Sequence, residues 1–424
     1  MGVLFVLSVL GLFGSAGAAP CDPTDSCPKL SDGLYCPVND VTEHGDINRD
    51  VKQIAEHMKE SPKNYAAALK VYTDGSFSSK GAGKMRTLEA LAKKDMTVGG
   101  KYTNTWYSGI LDLAGSIDGI WHNYMMGCLQ NTGFCMGKSD DFRKYIINKC
   151  AIGIVGGYAA YEMGAAVWKA ADGALTDAGA PYAWDEAAAF YIGNVVPALG
   201  DGYTGAAPGN LYSPYEFMWK RDIDFPAGEA AHTAMVPILN YGLLNIRTYS
   251  ATNLDAAQTG LYKLMAITAI RSAIKYSWKA YGGSGGSYSD KYHAEGWAYW
   301  RFGSGWIASV SAKTKTAVQT VDALLDLSLT TIPSTTPCTI KTTLEGIYDD
   351  IGITCAMVGA WKDAVAGSCL ETACTDAVSN TNTLISGSTD YVDMCKAPSP
   401  SGLESVGSCY DMTTHKVTCN MSES

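Results

Sequence analysis

Glu162 sits inside the run Cys150–Trp168, which is apolar almost all round apart from that one carboxylate. Burying a carboxylate alone costs several kcal/mol, so the group must be paired, protonated or bound to a metal. Arg271, on the corresponding helix of a later segment, is a candidate ion-pair partner; a structural pair and a ligand role both fit. Glu186 and Glu295 form a matched set. Each opens an aromatic-rich segment, Asp185–Tyr191 and Ala294–Trp300, and each follows a Trp-Lys-Ala element and a glycine-rich loop. Trp168 precedes Glu186 by 18 residues and Trp278 precedes Glu295 by 17. Favourable placement at a helix N-terminus explains either glutamate alone. It does not explain why both hairpins carry one. His293, two residues before Glu295, can converge with it where the chain is still turning into a helix.

Weaker pairs occur elsewhere. Glu229 and His232 have the i, i+3 spacing used by metal-binding bundles. His57 and Glu60, preceded by Ala55, nearly match the Gly-x-His-x-x-Glu pattern of imelysin-like proteins. No phosphate-binding Gly-x-x-x-x-Gly-Lys-[Ser/Thr] loop or His-Glu-x-x-His zinc motif is present. The 25 tyrosines and the carboxylates are hard oxygen donors of the kind that suits Fe(III). Tyrosines also pack cores and bind sugars, so their number decides nothing by itself.

The elements that must position these groups read as helices. Ile47, Val51, Ile54 and Met58 share one face, and Ile110 to Tyr124 forms a second stripe. Phe142–Ala171, Trp184–Leu199, Ala230–Tyr249, Gly260–Tyr281 and Ala294–Leu329 follow, the last expected to break near Gly303–Gly305. Alternating strand patterns are scarce. The expected fold is all-α: two antiparallel helical-bundle lobes related by a pseudo-repeat, with disulfide-rich ends. The boundaries read as a signal peptide at 1–18, a cysteine-containing segment at 19–45, lobes at 46–249 and 250–375, and a cysteine-containing tail at 376–424.

Bulk properties agree. Hydrophobic residues make up 47% of the 424 and charged residues 17%, which supports packed cores. A net charge of -10 repels phosphate backbones and argues against a nucleic-acid partner. Val3–Phe13 is apolar but too short to span a bilayer, and Ala16-Gly17-Ala18 supplies a cleavage pattern; a buried first helix is the alternative. The 13 cysteines cluster, as disulfides in an exported chain do. Asn420-Met421-Ser422 is a glycosylation sequon, and no hydrophobic anchor follows it. The expectation is a secreted chain with no membrane span.

Several segments also resemble, in order, the algal Fe-assimilating family, the low-iron-inducible periplasmic proteins. They are Ala68–Ser76 leading to Arg86-Thr87-Leu88, Trp184–Gly193, Ala294–Tyr299, and Ile351–Cys355 followed by Val358-Gly359, with Glu162 where the family carries a helical Glu. The resemblance runs from about residue 46 to 375. It implies ferric iron captured with carbonate in the periplasm or at the cell surface, handed to an uptake partner, without catalysis. The duplicated glutamate and the buried carboxylate nominate Glu162, Glu186, Glu295 and His293 as the leading ligands, in a cleft built by the two hairpins. Carbonate needs a guanidinium and helix N-terminal N–H groups, which nominates Arg86 and Thr87 first and Arg271 second. Arg86 as a solvated residue beside Lys84 is the plain alternative. Two other function classes stay open: a disulfide-stabilised wall or glycan-binding protein, and an imelysin-like peptidase.

Overall fold

The computed structural model describes residues 30, 35, 37–97, 105–194, 212–247, 250–283, 287–376 and the strands 407–411 and 416–420. The helices are α1 (Thr42–Gly45), α2 (Ile47–His57), α3 (Tyr65–Asp74), α4 (Leu88–Ala92), α5 (Thr105–Ala114), α6 (His122–Gln130), α7 (Asp140–Ala171) and α8 (Ala180–Ile192). They continue with α9 (Pro214–Asp224), α10 (Ala231–Arg247), α11 (Ala251–Tyr281), α12 (Asp290–Val310), α13 (Ala312–Leu324), α14 (Thr336–Glu345) and α15 (Cys355–Val358). The chain is mostly helical, as its periodicity requires. Strands β1 (Gly407–Asp411) and β2 (Lys416–Asn420) pair as an antiparallel hairpin in a small unit made from the two chain ends. Residues Ser26–Thr389 form the larger unit. The expected leader and Cys21, Cys27, Cys36 and Cys395 lie outside the described residues.

Two long antiparallel hairpins, α7–α8 and α11–α12, make the centre of the larger unit. α7 is long and apolar enough to cross a membrane by length and composition, yet most of it is covered by protein. Its glycines explain the cover. A Cβ at Gly153, Gly156 or Gly157 would lie 2.2–2.5 Å from the rings of Trp121, Phe302 and Trp106 respectively. The helix surface is hollowed at these positions so that aromatic side chains from α5, α12 and the turn before α6 seat on its backbone. Trp106 also donates its indole N–H to the Phe302 carbonyl at 2.9 Å. Aromatic side chains of α5 and α12 thus pack on the same helix, α7.

Several expected boundaries differ: α8 runs from Ala180 to Ile192 rather than Trp184 to Leu199, and α11 starts at Ala251 rather than Gly260. The apolar stripe from Ile110 to Tyr124 is split between α5 and α6 by the turn at 115–121. α12 does not break at Gly303–Gly305. These glycines let helices touch: a Cβ on Gly109 would lie 1.9 Å from the Gly305 carbonyl oxygen. The break comes at Ser311, whose side chain accepts from Thr314 N while Thr314 returns the bond to Ser311 N, a reciprocal cap that starts α13.

Among the described residues, three disulfides join Cys128 to Cys135, Cys338 to Cys369 and Cys355 to Cys374. Cys150, buried on α7, is a free thiol whose pKa is raised by burial.

Candidate metal centre

Glu162 on α7 and Glu186 on α8 come together across the first hairpin. Glu162 is pushed up to about 8, first by burial and then by the neighbouring charge of Glu186, against the pull of Lys169 and Lys94. His44 of α1 completes the cluster, its Nε2 2.6 Å from Glu186 Oε1.

The neighbouring residue makes that approach possible. Asp185 faces the opposite way from Glu186 and pins the N-terminal strap. Its carboxylate accepts from Tyr35 Oη at 2.8 Å, Val38 N at 2.9 Å and Asn39 N at 3.1 Å. Burial raises its pKa to about 7 in spite of those bonds. The strap then turns into α1, where Asn194 N donates to the Gly45 carbonyl at 3.1 Å and so ties α1 to the end of α8. His44 is thereby set over the α8 face that carries Glu186 and Phe190, with its ring edge-on to Tyr182 and Phe190 at 5.9 and 5.7 Å.

Arg86 arrives from the loop after α3. That loop is held by Asp50, which accepts from Ser76 N and Phe77 N at 3.1 and 3.0 Å. Arg86 is buried, and it uses Nη1 alone for the protein: Ser78 Oγ at 2.9 Å, the Ser79 carbonyl at 3.0 Å and the Glu43 carbonyl at 3.3 Å. Its Nε and Nη2 make no hydrogen bond to the described residues. Burial lowers its pKa, opposed by Glu186, Tyr158, Tyr182 and Glu162, which all lie within its field. The guanidinium has no ion-pair partner among the described residues, and the charges of Glu186 and Glu162 act on it. Thr87 is occupied as the N-cap of α4, accepting from Ala90 N at 3.1 Å.

Phenols ring the cluster. Tyr158 and Tyr161 are 5.1 Å apart by ring centroid, and Tyr158 packs on Phe190 at 5.0 Å. The pKa values of Tyr158 and Tyr182 are both raised, first by burial and then by the two glutamates. Among the described residues no three His, Cys, Asp or Glu side chains are grouped so as to hold a metal. A hard cation at Glu162 and Glu186 would complete its coordination from phenol oxygens or a bound anion.

The other expected site residues lie elsewhere. Glu295 pairs with Lys149 at 3.5 Å. Lys149 and Glu162 are both on α7, 13 residues apart by number, which is about 20 Å along a helix. Glu295 is thus not brought to Glu162. His293 is sealed in the core, one ring nitrogen against Tyr288 Oη at 2.8 Å and the other against the Leu325 carbonyl at 2.9 Å. Arg271 is fully buried and not free for an anion. It bonds Asp222 at 2.5 Å, the Val358 carbonyl at 2.9 Å, and the Glu229 and Met357 carbonyls at 2.8 Å each. It does not meet Glu162, whose proposed ion-pair partner it was. His232 is taken by Asp222 at 2.5 Å, and His57–Glu60 is a 2.7 Å pair at the surface.

Sequence reasoning missed His44, which is 142 positions from Glu186 and carries no motif. A signal for the phenols was present: Tyr158–Glu162 and Tyr182–Glu186 are both i, i+4, so each tyrosine shares a helix face with its glutamate.

A family model described as low iron-inducible periplasmic protein matches residues 8–382. The chain belongs to that family. The matched span includes every residue of the cluster, from His44 to Glu186, and both helical hairpins. The low iron-inducible periplasmic proteins are located outside the cytoplasm, in the periplasm or at the cell surface, and are tied by their regulation to iron supply. No curated protein and no solved structure is similar enough to match the chain.

Proposed function

We propose that this protein captures ferric iron at the Glu162–Glu186–His44 cluster, with a small anion such as carbonate held by Arg86, for transfer to an uptake partner at the cell surface. The observation that carries the reading is the buried acidic pair itself. A buried carboxyl raised to about 8 by burial and by the neighbouring charge of Glu186 leaves a place where a cation relieves the repulsion and displaces the Glu162 proton. Arg86 adds an anion seat, since two of its nitrogens make no hydrogen bond to the described residues. A ferric ion, two glutamates, one carbonate and Arg86 together carry no net formal charge, which is what a desolvated site requires. Tyr158, Tyr161 and Tyr182 offer the hard phenolate oxygens that Fe(III) prefers. The family's induction by low iron supports iron as the cargo.

The role is capture rather than catalysis, and one site per chain is expected. In the second hairpin the glutamate matched to Glu186 is neutralised by Lys149, and the tyrosine position four residues before it is Lys291. Titration of the chelator-stripped protein with ferric citrate, with and without bicarbonate, tests the proposal. Saturable binding near one equivalent, strengthened by bicarbonate and lost in Glu186→Gln, supports it. No saturable binding in either condition overturns it.

A further inference from the structure

A second polar pocket, of about 400 Å³, opens between α6, α12 and α13 and shares no residue with the acidic cluster. Its polar wall is Asn123, Arg301, Asp322 and Asp326, and its aromatic wall includes Tyr124 and Trp297. Arg301 is the unusual member. It is only 8% exposed, yet no carboxylate pairs with it among the described residues, and its Nε is buried without a hydrogen-bond partner. The guanidinium lies 4.7 Å from the Trp297 ring centroid and 5.4 Å from that of Tyr124, which fixes its plane. Asp322 accepts from Trp300 Nε1 at 2.7 Å through one oxygen, and Asp326 accepts from Ser328 N at 2.7 Å through one of its own. Asp322 thus keeps one oxygen with no hydrogen bond to the described residues, and Asp326, held by the backbone and side chain of Ser328, stays a charged acceptor beside it.

The rim is held as firmly as the floor. The Cys128–Cys135 disulfide closes the turn that carries Phe134, whose ring stands edge-on to Tyr124 at 4.9 Å. Arg143 Nε donates to the Cys128 carbonyl at 2.8 Å beneath it.

The chemistry of the wall selects its occupant. A simple anion would meet Arg301 but also two carboxylates. A simple cation would meet the carboxylates but also a guanidinium. A hydroxyl both donates and accepts, so a ring bearing several hydroxyls satisfies Asp322 and Asp326 as a donor and Arg301 and Asn123 as an acceptor. We propose that this pocket binds one neutral, hydroxyl-rich ring, a monosaccharide unit either free or at the end of a wall glycan. The volume suits one or two such rings, and a periplasmic location supplies both sources.

Calorimetric titration of the full disulfide-bonded chain with a panel of neutral aldoses, their methyl glycosides, glycine and acetate tests this. Saturable binding of a neutral aldose is expected, with Asn123→Ala and Asp322→Asn each weakening it about tenfold and leaving iron binding unchanged. Asn123 is exposed, so its variant folds whatever the fate of Asp322→Asn. A methyl glycoside that binds as well as its parent identifies a glycan end, and one that binds worse identifies the free sugar; both support the inference. Failure of every neutral sugar to bind, tighter binding of glycine or acetate, or full affinity in Asn123→Ala would overturn it.

Discussion

Replacing Glu162 with Gln removes the like-charge conflict at the acidic pair while keeping the side chain's size and a hydrogen-bond donor to Glu186. The carboxyl ordinarily titrates near 4.5 and here is pushed up to about 8. Because the folded value is the raised one, the group costs nothing below about pH 4.5, where both folded and unfolded chains hold the proton. The cost grows as pH rises toward 8 and is then constant. At pH 7 the unfolded chain is ionised at this position and the folded chain is not. At about 1.4 kcal/mol per pH unit, the gap above 4.5 amounts to roughly 3 kcal/mol. Glu162 is 8% exposed, so solvent screening removes little of it. The metal-free Gln variant should therefore be more stable than the parent. Its advantage should grow by roughly 3 kcal/mol between about pH 5 and about pH 7.5. Urea unfolding of both proteins in chelator, followed by far-UV circular dichroism at the two pH values, measures the difference. The variant should also lose iron binding, because stability and function oppose each other at this pair. Equal stability at both pH values, or a less stable variant at the higher one, would refute the argument that burial and Glu186 raise the Glu162 pKa.

Three further outcomes are expected. Arg86→Lys should keep iron binding but lose most of its bicarbonate dependence, since an ammonium cannot offer carbonate two parallel N–H groups; unchanged bicarbonate dependence in titrations would exclude Arg86 as the anion seat. Glu295→Gln should leave iron stoichiometry at one per chain while costing roughly 1–3 kcal/mol in urea unfolding, because Lys149 then lacks its charged partner; a fall in stoichiometry would place Glu295 among the ligands. Gly109→Ala should destabilise by at least about 1–3 kcal/mol, because the new methyl meets the Gly305 backbone, which cannot swing aside as a side chain would; a thermal midpoint equal to the parent's would contradict the tight crossing of α5 and α12.

Much of the fold was legible in the sequence because helices announce themselves locally. The apolar run of α7, its one carboxylate, and the repeated Trp-loop-Glu hairpins are all short-range patterns, and the all-α architecture follows from their periodicity. The glutamates of the candidate site were legible for the same reason: a lone carboxylate in an apolar helix is conspicuous wherever that helix packs. The rest depended on distance in space. Gly303–Gly305 read as a helix break because glycine lowers helix propensity, but packing against α5 and α11 outweighs that preference and the helix continues. Glu186 and Glu295 look equivalent in sequence, and only the tertiary structure separates them, giving one a histidine and a second glutamate and the other a lysine from the far end of α7. His44 and Arg86 carry no sequence mark of their role, since a strap pinned by Asp185 and a loop pinned by Asp50 bring them in. The sequence by itself determined which groups are costly to bury. The tertiary structure decided which of those costs are met by protein partners, as at Arg271 and Glu295, and which are not, as at Glu162, because compensation of a buried charge is a property of neighbours that only folding supplies.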